Sequence, residues 1–113
     1  MFKVIFYQTA DGRKPAGEYL KSLDETARSQ IVQDVALLER LGNMMVGEKS
    51  KALEDGLFEL RVLDRSNTYR LIYFFVIGEK IIVTNGFTKK TQKTPKNEIE
   101  LAKKYREDYL SRH

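Results

Sequence analysis

The strongest constraint in this sequence is a set of three strand-like segments crowded into residues 57–88. Residues 57–63, 68–77 and 80–88 are rich in Val, Ile, Leu, Phe, Tyr and Thr, with breaks at Asp64-Arg65-Ser66-Asn67 and Gly78-Glu79. Branched and aromatic side chains favour a pleated surface, and breaks this short leave room for little except hairpins. The segment reads as an antiparallel meander, and the rest of the chain must pack on its faces.

The flanking segments supply those layers. Residues 2–8, with Phe2, Val4, Ile5, Phe6 and Tyr7, read as a further strand ended by Asp11-Gly12. Pro15 suits the first turn of a helix carrying Ala16, Tyr19, Leu20 and Leu23. Ser22 or Asp24 can cap a second helix, whose stripe Ala27, Ile31, Val35, Leu38 and Leu41 ends at Gly42-Asn43. Residues 44–56 read as irregular. Thr94 and Pro95 read as the N-cap and first residue of a last helix with the stripe Ile99, Ala102, Tyr105, Tyr109 and Leu110. The expected order is β-α-α-β-β-β-α, an α+β fold with a small, mainly antiparallel sheet and a helical hairpin on one face. A length of 113 residues without linker or repeat fits a single domain over residues 1–113.

The register of the meander gathers the basic residues. Short loops pair Leu63 with Thr68 and Arg61 with Arg70. A two-residue turn at Gly78-Glu79 pairs Ile77 with Lys80 and sets Phe87 opposite Arg70 and Lys89 opposite Thr68. Arg61, Arg70 and Phe87 then form one row across three strands. Phe58, Leu60, Val62, Leu71, Tyr73, Phe75 and Ile82 take the other face, as the bed for the helical hairpin.

Charge supports a functional reading of that row. Residues 1–56 hold 8 Lys/Arg and 9 Asp/Glu, a net of −1, whereas residues 57–113 hold 12 and 7, a net of +5, which together give the chain its +4. A basic half points to a polyanion, most often nucleic acid. Facing arginines repel one another in a sheet unless an anion lies between them, and phosphate fits the guanidinium fork. Phe87 offers a stacking surface for a base, and Lys93 and Thr94 lie where the basic loop enters a helix N-terminus. The alternatives are that Arg70 pairs with Glu59, that the lysines form a solvated loop, and that Phe87 is core beneath the last helix.

The chemistry available is narrow. The chain has no Cys, and its one histidine is His113. Thiolate chemistry is excluded, and histidine catalysis would rest on His113. No metal or cofactor is expected, because the acidic residues are scattered and Glu59 is the one carboxylate this register puts beside the arginines. No apolar run approaches the ~20 residues needed to span a bilayer, so no membrane contact and a cytoplasmic location are expected.

Asp55-Gly56-Leu57-Phe58-Glu59-Leu60-Arg61, Tyr69-Arg70-Leu71-Ile72-Tyr73 and Gly86-Phe87-Thr88-Lys89-Lys90-Thr91-Gln92-Lys93-Thr94-Pro95 together resemble the RelE/HigB-like toxins of bacterial and phage toxin–antitoxin modules. The third stretch is similar to their phage-derived branch. The resemblance implies a RelE-like fold and a ribosome-dependent mRNA endonuclease, neutralised by a cognate helix-turn-helix antitoxin. It places the catalytic cations at Arg61, Arg70 and Lys89 or Lys90. The tyrosine that RelE-type members carry near the start of the last helix is absent here, as is the late histidine of some HigB members, which leaves the general base unassigned. Tyr69, Tyr73 and Tyr105 are the remaining acid–base candidates. The expected reaction is metal-independent attack by the RNA 2′-OH, with charge stabilisation by Arg61 and Arg70 and a lysine assisting the leaving group. A non-catalytic RNA-binding or antitoxin-binding module would use the same row.

Overall fold

The computed structural model describes residues 1–47, 49–89 and 93–113, Lys89 by its backbone alone. The elements are β1 (Lys3–Phe6), α1 (Pro15–Lys21), α2 (Glu25–Leu41), a 3-10 turn (Gly42–Met45), β2 (Ser50–Ala52), β3 (Phe58–Asp64), β4 (Asn67–Val76), β5 (Lys80–Lys89) and α3 (Lys96–Arg112). One sheet runs in the order β1-β5-β4-β3-β2. β1 lies parallel to β5, and the other pairs are antiparallel. The fold is the expected mixed α+β type, with one addition. Strand β2 falls in the stretch read as irregular, and three residues are too few to show an alternating pattern.

The helices begin and end for local reasons. Asp24 caps α2 by accepting from the Ala27 amide at 2.8 Å. Gly42 closes it at φ 55°, and a side chain there would run into the Phe2 ring. α3 begins one residue later than the sequence suggests. Pro95 takes the cap position, and Thr94 makes no capping bond.

The sheet has a helical layer on each face. On one side α1 and α2 bury Ala16, Ala27, Ile31 and Leu38 against Leu60, Val62, Leu71, Tyr73, Ile81 and Val83. On the other, α3 sets Ile99, Ala102 and Tyr109 over Ile72, Phe74, Ile82 and Phe87. Each fully buried large aliphatic contributes roughly 1.5–3 kcal/mol. The outer edge of β1 is closed by Glu39, whose carbonyl accepts from Phe2 N at 2.7 Å and whose carboxylate accepts from Val4 N at 2.9 Å.

The meander reaches its expected pairing by an unexpected route. β3 and β4 pair Arg61 with Arg70 and Leu63 with Thr68. The β4–β5 turn is one residue longer than expected, because Val76, not Ile77, faces Lys80. A bulge then restores the phase: Tyr73 pairs with Val83, Ile72 with Asn85, and Thr84 is left over. Beyond it Arg70 faces Phe87 and Thr68 faces Lys89, as expected. Between turn and bulge the faces are exchanged. Ile82 therefore lies beneath α3 rather than in the bed of the helical hairpin, while Ile81 and Val83 take that bed. The bulge also anchors α3, since Asn85 Nδ2 donates to Glu98 Oε1 at 3.0 Å.

Candidate nucleic-acid interface

Arg61 and Arg70 stand side by side across β3 and β4, and their mutual repulsion needs an answer. The answer within the described residues is Glu59, two positions before Arg61 on the same face of β3. Its side chain is fully buried. Arg70 Nη1 donates to Glu59 Oε1. Thr94 Oγ1 donates to Oε2 at 2.5 Å. Lys51, directly opposite on β2, brings Nζ to 3.8 Å from Oε1. A buried carboxylate is stable only when its lone pairs meet donors and its charge meets cations. Three separate segments supply them here.

The geometry separates the cations by exposure. Arg70 is 7 % exposed, and its Nε lies buried without an acceptor among the described residues. Arg61 and Lys51 are half-buried, and Lys93 is exposed immediately before Thr94. Lys89 has its backbone opposite Thr68 at the end of the same face. Lys90 lies outside the described residues. The surface can therefore present several positive groups to an anion, with the deepest arginine held by its carboxylate partner.

Two expected contacts take other roles. Phe87 is 9 % exposed and belongs to the cluster beneath α3, so its ring is a packing surface and not an open stacking platform. Its place in the row is as expected, but the last helix covers it. Thr94 is 5 % exposed and commits its hydroxyl to Glu59, so it neither caps α3 nor faces outward. The tyrosines are also turned away. Tyr69 and Tyr73 are buried on the helical-hairpin face. Tyr73 donates to Ser50 Oγ at 2.8 Å, and burial raises its phenol above the usual range, which keeps it neutral and makes it a poor proton donor. Tyr105 stacks on Tyr7 with ring centroids 4.8 Å apart.

Lys51 is the residue that sequence reasoning missed, because β2 itself was not legible. Glu59 was visible as a possible partner of Arg70. Its complete burial and its bond to Thr94 were not, since they depend on how residues 93–95 cross the sheet.

The family model described as "Phage derived protein Gp49-like (DUF891)" matches residues 18–107. The chain belongs to that family. It is also 30% identical over 100 residues to the probable endoribonuclease HigB1 of Mycobacterium tuberculosis, from the CDC 1551 / Oshkosh strain and equally from the ATCC 25618 / H37Rv strain. Each match covers 87% of this chain and 76% of the relative. These similarities agree with the RelE/HigB-like character of the motifs around Arg61, Arg70 and Lys89. The matched stretch of the Gp49-like family contains all of β2 to β5 and the Glu59 cluster. Among the described residues, no helix is long and apolar enough to cross a membrane.

Proposed function

We propose that this Gp49-like chain, acting as one domain, is the toxin of a toxin–antitoxin pair and an endoribonuclease that cuts mRNA on the ribosome in the cytoplasm. The observation that carries the reading is the Arg61–Arg70 pair, set on a rigid sheet with further cations around it. The similarity to a protein named as a probable endoribonuclease supports the same class of reaction.

In this reading the RNA supplies its own nucleophile. The 2′-oxygen forms a bond to the adjacent phosphorus and the bond to the 5′-oxygen breaks, leaving a cyclic phosphate and a free 5′-hydroxyl. Solvent takes the proton that leaves the 2′-oxygen, and a lysine ammonium supplies the one that reaches the 5′-oxygen. Arg61 and Arg70 hold the phosphate and stabilise its added negative charge, which is the largest contribution such a site can make. Lys89 or Lys90 serves the leaving group, and Lys51 and Lys93 hold the flanking backbone. The ribosome completes the placement of the message, and a helix-turn-helix antitoxin encoded with the toxin blocks the basic face.

The test is a reporter mRNA in a reconstituted translation mixture, with and without ribosomes, and with Arg61→Gln beside the parent protein. Cuts mapped by primer extension are expected only with ribosomes, and Arg61→Gln is expected to slow them about 10²- to 10³-fold, the effect of losing one charge-stabilising donor. RNA that is bound and remains intact would overturn the enzyme reading and favour a binding module.

A further inference from the structure

We propose that Glu59 is the positioning residue of this site: it fixes the guanidinium of Arg70 at the expense of RNA affinity. The inference rests on the endoribonuclease reading and adds a residue that does not itself touch the reacting atoms.

The argument starts from the two oxygens of Glu59. Oε1 receives Arg70 Nη1 and lies 3.8 Å from Lys51 Nζ. Oε2 receives the Thr94 hydroxyl at 2.5 Å. The carboxylate thus joins β2, β4 and the residue that leads into α3, and it is itself fully buried on β3. An arginine side chain has many rotamers, and an unpaired Arg70 would spread its charge over several of them. Bound through Nη1, it has one orientation. The Nε–H on the other side of its fork is then left buried without an acceptor among the described residues. Glu59 thus determines which way the remaining donors of the guanidinium point.

The same contact has a cost for binding. Glu59 sets one negative charge among Lys51, Arg61 and Arg70, and so lowers the positive potential that attracts a polyanion. Its removal should leave the site more attractive to RNA and less able to act on it. A purely structural residue gives no such opposed change.

The experiment measures both quantities on the full chain. Glu59→Gln and the parent protein are compared for binding of a 12-nucleotide single-stranded RNA across a salt series, and for cleavage of a reporter mRNA on ribosomes. Far-ultraviolet circular dichroism verifies the fold of each variant. Glu59→Gln is expected to bind the RNA several-fold more tightly at low salt, with a steeper salt dependence, and to cleave at least about tenfold more slowly. Thr94→Val removes the bond to Oε2 without changing charge, so it should slow cleavage a few-fold and leave RNA affinity unaltered. It also keeps the test alive if Glu59→Gln does not fold. Unchanged cleavage in either folded variant, or unchanged affinity in Glu59→Gln, overturns the proposal. Complete loss of cleavage with unchanged affinity does so as well, because it would make Glu59 the proton acceptor. Cleavage by the parent protein tests the endoribonuclease reading, whereas the ratio of variant to parent tests Glu59, so the two can fail separately.

Discussion

Replacing Arg70 alone should destabilise the protein far more than replacing Arg70 and Glu59 together. The side chains of the pair are 9 % and 0 % exposed, so solvent screening does little to moderate the loss of a partner. Arg70→Met would leave the Glu59 carboxylate buried with the Thr94 hydroxyl and a lysine 3.8 Å away. Breaking a buried ion pair from one side costs about 3–5 kcal/mol, and these two remaining partners put the expected loss near ~3 kcal/mol. For a domain whose whole stability is about 5–15 kcal/mol, that is a large fraction. It corresponds to a fall in melting temperature on the order of 10 °C. Arg70→Met/Glu59→Gln removes both charges and leaves Thr94 an acceptor, so the double variant should lose only about 1 kcal/mol. The chain has no tryptophan, so the assay is urea unfolding followed by circular dichroism. If the single variant loses less than about 1 kcal/mol, or if the two substitutions prove additive, the ion pair is not the coupled buried unit described here. The result bears on function too: loss of activity on truncating Arg70 reports stability as well as chemistry. Arg61 is for that reason the cleaner position for a cleavage assay.

Two further outcomes follow from burial on the opposite face. Burial pushes the Tyr19 phenol up to about 12, so the fold favours its neutral form; the associated stability is complete below about pH 10 and is lost as pH rises toward 12. Tyr19→Phe should therefore flatten the alkaline fall in unfolding free energy, while costing about 1 kcal/mol near neutrality for the lost bond to Thr88. Gly86→Ala would place a Cβ 2.5 Å from Tyr19 Cδ2 and 2.7 Å from Leu71 Cδ2, so thermal melting should show a loss of about 1–3 kcal/mol, and an unchanged midpoint would mean that α1 can move away from β5.

Much of this architecture was legible because its signals are local. The α2 stripe and the Asp24 cap lie within single turns of helix, and the β3–β4 register follows from a short break between two apolar runs. The Arg61–Arg70–Phe87 row was reached through two departures that cancel, a longer turn and the bulge at Thr84. Ile82 lies between them and therefore lands on the other face. A bulge has no reliable mark in a single sequence, since Thr84 is an ordinary strand residue that lacks only a register partner on β4. The site was legible as a set of cations but not as a set of partners. The alternation that put Glu59 beside Arg61 could not show that Thr94, a residue 35 positions away, would close over the same carboxylate.

The parallel pairing of β1 with β5 sets an order of assembly. The β3–β4–β5 meander closes through short turns, whereas Lys3 must find Lys80 across a loop containing most of the chain. Contacts this distant form slowly, because the entropy of the loop must be overcome before any hydrogen bond offsets it. Without β1, β5 would be the open edge of the sheet, a row of unpaired backbone groups to which another strand can add. The four residues of β1 thus protect the edge of β5 as much as they complete the sheet, and Glu39 then seals the new edge that they create.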